Sequence, residues 1–461
     1  MDRLPVELIH LITQFLSTPA RAALARASQR YYEMLLRDVY THVYFDGYPA
    51  CRFSFFQAII RRPELAQSVR SLHLEGWQTE DDVGDNTPGY AQQLQDTLDV
   101  DLFQKAVRED PIIEREAEVW DRSLDMFNED AFVALSMPRL TNLRRLAIIY
   151  PFGCELFDRV VRPGEGGDPP EDGCYNVVDL FPRLEELHIA WYDTANGINV
   201  RRATPFFSIP SLRKVSGGLL YGGAVRQPDT RARISNVTEI DLDNSSVSVG
   251  LAAWINLCRG LKSFRYTHGS SVIYHNDFSP GGFGATLAAH AHTLERLWLN
   301  MEMGIDVDGS SVWLGSLAAY TALKILCVPA CILHNDAEIE APSNGPRRSL
   351  AETVPPTLEV LVLATCEEFF STYLPAQVEG MLRSKRCPGL KLLVLQTWGN
   401  DKWKEKLDGV RQLCGEGGIA LRFRYDRFLH STWPSYSPAG VEPEEADWGS
   451  DEDQDGSSVV V

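Results

Sequence analysis

One pattern recurs along this chain and narrows its possible folds more than any other feature. It is an apolar residue, two variable residues, a second apolar residue, one variable residue and a third apolar residue. It appears as Val69-Arg-Ser-Leu72-His-Leu74, Leu143-Arg-Arg-Leu146-Ala-Ile148, Leu184-Glu-Glu-Leu187-His-Ile189 and Val237-Thr-Glu-Ile240-Asp-Leu242. Further copies are Leu294-Glu-Arg-Leu297-Trp-Leu299, Leu323-Lys-Ile-Leu326-Cys-Val328, Leu358-Glu-Val-Leu361-Val-Leu363 and Leu390-Lys-Leu-Leu393-Val-Leu395, with degenerate ones starting at Leu212 and Leu261. From Leu143 onward the starts lie about 24 to 41 residues apart, the period of a stacked repeat array. The end of each copy alternates apolar and polar residues, as a short strand with one buried face must. Segments such as Leu251–Cys258, Ala285–His290 and Val378–Leu382 carry helical spacing between the copies. A unit of helix, turn and strand cannot bury both elements alone, so neighbours must stack. The expected fold is an α/β solenoid with parallel strands inside and helices outside, bent into an arc.

Three stretches interrupt the repeat. Residues from about Thr79 to Met137 begin acidic at Glu80-Asp-Asp and continue into helix-like sequence, which predicts an insertion between repeat units. Pro163–Gly173 and Asp336–Arg348 read as loops rich in Pro, Gly and charge. Beyond residue 425 the pattern ends, and Glu442, Glu444, Glu445, Asp447, Asp451, Glu452, Asp453 and Asp455 form a tail with no Lys or Arg among them, expected to be disordered. The domain reading is therefore 1–45 for a helical module, 46–425 for the repeats with the insertion at about 79–137, and 426–461 for a C-terminal segment.

The formal net charge of -19 disfavours nucleic acid, whose affinity for proteins comes largely from Lys and Arg displacing counterions. The nine cysteines are scattered and lack paired spacing, so reduced thiols are expected. The chain starts without a basic segment followed by an apolar one and holds no apolar run long enough to span a bilayer. No membrane association and a cytoplasmic or nuclear location are the expectations.

Residues 4 to 40 do not follow the repeat. Leu4-Pro5-Val-Glu7-Leu8-Ile9-His-Leu11-Ile12-Thr-Gln-Phe15-Leu16 predicts a helix with Pro near its first turn and an apolar face on Leu8, Ile12 and Phe15. Thr18 and Pro19 are placed as cap and first residue of a second helix through Leu24, and Ser28 as the cap of a third holding Tyr31, Tyr32, Leu35 and Leu36. This segment resembles the F-box, which opens with Leu-Pro-x-Glu-Leu, an apolar helix and a Leu-bearing second helix. Leu4, Pro5, Glu7, Leu8, Ile12, Phe15, Leu16, Leu24 and Ser28 stand where that motif has such residues. The third-helix Trp of the family is absent, with Tyr31 or Tyr32 near its place, and Arg21-Ala-Ala replaces the commoner acidic start of helix two.

Followed by leucine-rich repeats, the module is similar to the F-box/leucine-rich-repeat proteins of a divergent, fungal-like type. That resemblance implies a substrate receptor of a Skp–cullin–F-box ubiquitin ligase, with Leu4, Pro5, Leu8, Ile9, Ile12, Phe15, Leu16 and Leu24 as adaptor-binding residues and the repeats holding a protein substrate. The alternative is a repeat scaffold without ligase connection, in which Leu8, Ile12 and Phe15 dock a helical cap onto the first repeat.

In each strand the variable residues face away from the core and are expected to line the concave surface. They run from Ser71, His73 and Glu75 through Glu239, Asp241 and Asp243 to an apolar row of Ile325, Cys327, Val360, Val362, Leu392 and Val394. Interface centres favour aromatic residues and Arg, which points to Arg265, Arg296, Trp298 and Asn300 as substrate contacts. The apolar row either binds the partner or is covered by the segment Phe428–Tyr436. Catalytic signatures G-x-S-x-G, G-x-x-x-x-G-K and H-E-x-x-H are absent, so the chain reads as a non-enzyme without cofactor or metal. Gly281-Gly-Phe-Gly284 reads as a repeat turn, and His290 and His292 point to different faces.

Overall fold

The computed structural model of the chain describes residues 4–46, 49–79, 98–161, 175–193, 197–222, 233–247, 249–269, 280–301, 313–333, 349–364, 373–396 and 407–424. It divides into two compact units, one built on the chain up to Tyr192 with Ser208–Leu212, the other on Asp193–Phe207 and the chain from Arg213 onward.

The first unit opens with helices α1 (Val6–Gln14), α2 (Thr18–Ala27) and α3 (Gln29–Val39). Ser17, not Thr18, caps α2, its hydroxyl accepting the Ala20 N–H at 3.4 Å. Ser28 caps α3 by accepting the Tyr31 N–H at 3.3 Å, as its position predicts. These helices bury Ile9, Ala25, Tyr31 and Leu35 in a small core of their own, with Leu4, Leu24 and Met34 packed against it.

Four parallel strands follow in the order β1 (His42–Asp46), β2 (Ser71–Glu75), β3 (Arg145–Tyr150) and β4 (Glu186–Trp191). The ladder thus begins inside the stretch read as the helical module. Between β1 and β2 lies helix α4 (Pro49–Arg61). The stretch read as an insertion leaves β2 and β3 directly paired, Ser71 against Arg145. Its last helix, Glu129–Ser136, is nonetheless buried at every residue and packs Phe132 edge-on against Phe53 of α4 at 4.8 Å, so it belongs to the core rather than to a projecting loop.

In the second unit the strands β6 (Lys214–Gly218), β8 (Glu239–Val247), β9 (Ser263–His268), β10 (Arg296–Met301), β11 (Ile325–Pro329), β12 (Val360–Ala364), β13 (Leu392–Gln396) and β14 (Ala420–Arg424) pair in that order, all parallel. Two short strands, β5 (Ile198–Asn199) and β7 (Leu220–Gly222), pair beside them. Helices Val249–Leu257, Pro280–Leu287, Leu374–Ser384 and Asp408–Gly417 fill the connections. Gly281-Gly-Phe-Gly284 is therefore part of a helix, not a turn. Gly is required at 284 because a Cβ there would run into the Leu314 carbonyl oxygen.

The repeat pattern translates directly into packing. All three apolar positions of each of the eight full copies are buried, with Leu390, at 7% exposure, the least so. Each fully covered Leu contributes about 1.5–3 kcal/mol relative to exposure, and no copy could collect this without a neighbour on either side. The residue after the first apolar position carries the backbone from one repeat to the next: Lys262 N–H donates to Thr238 O, Glu295 to Lys262, Lys324 to Glu295, Glu359 to Lys324 and Lys391 to Glu359, each at 2.8–2.9 Å.

The loops Pro163–Gly173 and Asp336–Arg348, the segment Phe428–Tyr436 and the acidic tail lie outside the described residues.

Candidate functional site

Two kinds of surface are candidates for recognition, a helix face in the first unit and the outward strand face of each unit. The first is the outer side of α1. Ile9 and Thr13 turn into the module, while Leu8, Leu11, Ile12 and Phe15 stay exposed, Phe15 at 84%. Their spacing of i, i+3, i+4 and i+7 draws one continuous apolar stripe along the helix. Val6 is exposed as well. The stripe is not needed for the module's own core, which Ile9, Ala25, Tyr31 and Leu35 supply. Two long-reaching hydrogen bonds fix the helix in place: the Arg30 guanidinium donates to Leu4 O at 2.9 Å and Arg21 Nε to Leu16 O at 2.9 Å.

Of the eight residues expected to form one contact surface, Pro5, Leu8, Ile12 and Phe15 are exposed and Leu16 is half-buried. Leu4, Ile9 and Leu24 instead face the module's interior. Ile9 lies on the inner side of α1, Leu24 on α2 and Leu4 ahead of α1, so the three belong to the core between the helices and not to the exposed stripe. Leu11, which completes the stripe, was missed although the helical spacing marks it.

The second surface is the outward face of the strands. In the first unit the ring of Tyr44 on β1 packs at a tilt of 41° against His73 of β2 with centroids 4.5 Å apart, and His73 Nε2 lies 3.2 Å from the Glu75 carboxylate. Ser71 and His73 are buried, and burial pushes the His73 imidazole below its ordinary pKa, with Glu75 opposing the shift. Arg145 Nε pairs with Glu186 across β3 and β4 at 3.2 Å.

In the second unit the register sets two rows side by side. One runs Lys214, Glu239, Ser263, Arg296, Ile325, and the next Ser216, Asp241, Arg265, Trp298, Cys327. Arg296 reaches over the small Ser263 to Glu239 at 3.3 Å. Beneath it Arg265 is buried, its guanidinium 5.6 Å from the centre of the Trp298 ring and its Nε 3.6 Å from Asp241 Oδ1. Burial raises the Asp241 carboxyl above the usual carboxylate range, against the pull of Arg265 and Lys214. These side chains line a small, partly open cleft together with Ser263 and Ile325.

Of the four expected substrate contacts, only Arg296 is presented to solvent. Arg265, Trp298 and Asn300 are at most 6% exposed. Along the apolar row Trp298, Cys327, Val362 and Val394 form a buried cluster, with Val360 and Leu392 packed on it; the segment Phe428–Tyr436, one of the two expected covers, lies outside the described residues.

His290 and His292 serve separate purposes. His290 Nδ1 accepts the Leu261 N–H at 3.2 Å and Nε2 donates to Ile255 O at 2.9 Å, a buried staple between repeats, whereas His292 is exposed and meets the Thr321 hydroxyl at 3.0 Å. Among the described residues no group of His, Cys, Asp or Glu could hold a metal, and no helix is long and apolar enough to cross a membrane.

No curated protein matches the chain. A family model for a leucine-rich repeat domain matches residues 51–370, the span that carries most of the strand ladder. With that match laid over a parallel ladder whose anchor positions are all buried, the chain belongs to the leucine-rich repeat family.

Proposed function

We propose that this leucine-rich repeat protein is the substrate receptor of a Skp–cullin–F-box type ubiquitin ligase. In this reading α1 docks the Skp adaptor, and through it a cullin, while the strand face of the repeats holds a protein substrate. The chain itself performs no catalysis, needs no cofactor and acts in the cytoplasm or nucleus. The observation that supports the reading best is the stripe Leu8, Leu11, Ile12 and Phe15, left exposed although the module has another core. Small soluble domains seldom leave such a stripe on one helix unless a partner covers it. A cap docked on the first repeat would have hidden these side chains. The coarser reading, a protein-interaction scaffold, follows from the repeat architecture alone.

Co-purification of the full chain with a Skp adaptor tests the proposal, beside a Leu8→Asp/Ile12→Asp variant. Both residues are exposed, so circular dichroism should show the variant folded. Capture by the parent and loss in the folded variant are expected. A folded parent that captures no adaptor would leave the scaffold reading.

A further inference from the structure

We propose that the segment Phe428–Tyr436 folds back over the outward face of β9–β13, an intramolecular cover that a protein partner has to displace. That the covered face is a recognition surface rests on the reading above. The burial of the strands carries the proposal. In β4 and β6 burial alternates, each outward side chain half-buried between fully buried anchors. β9, β11, β12 and β13 are instead half-buried only at their first residue and buried at every later one, and β10 follows them through Asn300. A strand buried at consecutive residues has something packed on both faces. The outward row cannot hide itself: Val362 is 1% exposed, although its neighbours in the row, Cys327 and Val394, are no longer than it is. Among the described residues the apolar side chains packed on this row are Val360 and Leu392, which stand on the same face of the strands.

What covers five strands at once must run across them. Connections such as 365–372 and 397–406 are tied at both ends to their own repeats, whereas the chain beyond β14 is tied at one. It leaves the ladder at Arg424, beside β13 and at the strand ends where burial is complete. β10 lies four strands from β14, about 19 Å at the usual spacing, and a fully extended Phe428–Tyr436 spans about 30 Å. Phe428, Leu429, Trp433 and Tyr436 bring large apolar groups to the row of Trp298, Cys327, Val362 and Val394. From Glu442 the chain turns acidic, and carboxylates make a poor cover for an apolar row.

Cys327 reports on the cover, since its thiol stands within the row at 0% exposure. The reduced full chain is treated with N-ethylmaleimide under native conditions, and peptide mass spectrometry reads each cysteine. Phe428→Asp/Trp433→Asp should speed the labelling of Cys327 about tenfold or more. Cys258, buried at the end of helix Val249–Leu257, should stay protected and so report an intact fold. A synthetic peptide of residues 425–437 should restore protection of Cys327. Should the substituted chain fail to fold, a full chain with a protease site inserted between Asp426 and Arg427 is cut after folding; the released peptide then either stays bound or leaves Cys327 open. Rapid labelling of Cys327 in the parent, unchanged protection in the folded variant, or protection that survives loss of the cut peptide would each overturn the proposal. Adaptor capture runs through α1 and should ignore these changes. Opening of Cys327 without adaptor capture therefore sinks the ligase reading alone, and adaptor capture with Cys327 still closed sinks the cover alone.

Discussion

Replacing Glu129 by Gln removes one charge from the core of the first unit while keeping the size and shape of the side chain. Arg52 is fully buried and Glu129 nearly so. Their contact is a two-pronged fork, Nε to Oε2 at 2.8 Å and Nη2 to Oε1 at 3.1 Å. The guanidinium also donates to the carbonyls of Glu75 at 3.3 Å and Gly76 at 3.0 Å, and Oε2 accepts the Gln78 N–H at 3.3 Å. Helix α4, the end of β2 and helix Glu129–Ser136 thus meet on one ion pair. A Gln at 129 keeps a single acceptor and turns an NH2 toward donors, leaving Arg52 buried without a counter-charge. Removing one partner of a buried pair costs about 3–5 kcal/mol. For a cooperative unit of this size that is a fall in Tm of roughly 6–20 °C. Thermal unfolding of the full chain followed by circular dichroism measures it. The double variant Arg52→Met/Glu129→Leu should regain most of the loss, because an apolar pair carries no desolvation penalty. A single variant within about 0.5 kcal/mol of the parent, or a double variant no better than the single, would refute the reasoning.

Three further outcomes are expected. Burial holds the His290 imidazole below its ordinary pKa, so the unfolded chain binds the proton first and stability falls as pH drops below the unfolded value of about 6.5; urea midpoints between pH 8 and 5 should show a shallower slope in His290→Gln. Glu295→Lys sets three lysines in line with Lys262 and Lys324 where an ion pair of 3.8 Å stood, and should cost about 1 kcal/mol at low salt and visibly less in 0.5 M NaCl, read as a change in Tm. Gly284→Ala adds helix propensity worth about 1 kcal/mol but drives a Cβ into the Leu314 carbonyl, so the clash should win and lower Tm.

The strand ladder was legible because each Leu position states its own burial within six residues. What escaped the sequence depends on neighbours far along the chain. β1 and β14 lack the leading anchor and offer only His42-Val-Tyr-Phe and Ala420-Leu-Arg-Phe, too little alternation to count as copies, yet both pair along their full length. Glu129–Ser136 is buried on every side, so its apolar residues show no periodic face and pass for part of an insertion. Arg265 occupies a variable strand position, which reads as exposed. It is buried all the same, in a row with Asp241 on one side and Trp298 on the other that is assembled across three repeats. The α1 stripe needs no such context, since four residues at helical spacing define it, and the structure adds which of its neighbours turn inward.

Leucines alone cannot tell one repeat from the next: any strand of this array would bury its anchors against any other. The residue after the first anchor supplies what they lack. From the repeat at Leu261 onward it reads Lys262, Glu295, Lys324, Glu359 and Lys391, with ion pairs from Lys262 to Glu295 and from Glu359 to Lys391. A strand that skipped its neighbour during folding would set Lys262 beside Lys324 or Glu295 beside Glu359, while keeping every Leu-on-Leu contact. Each exposed pair is worth only about 0.2–1 kcal/mol, too little to hold the fold together. Between Lys262 and Lys391 alternation makes each skipped pairing repulsive and each sequential one attractive, so the difference counts twice per step and accumulates over these five repeats. Small surface charges can in this way fix the order of repeats whose cores are interchangeable.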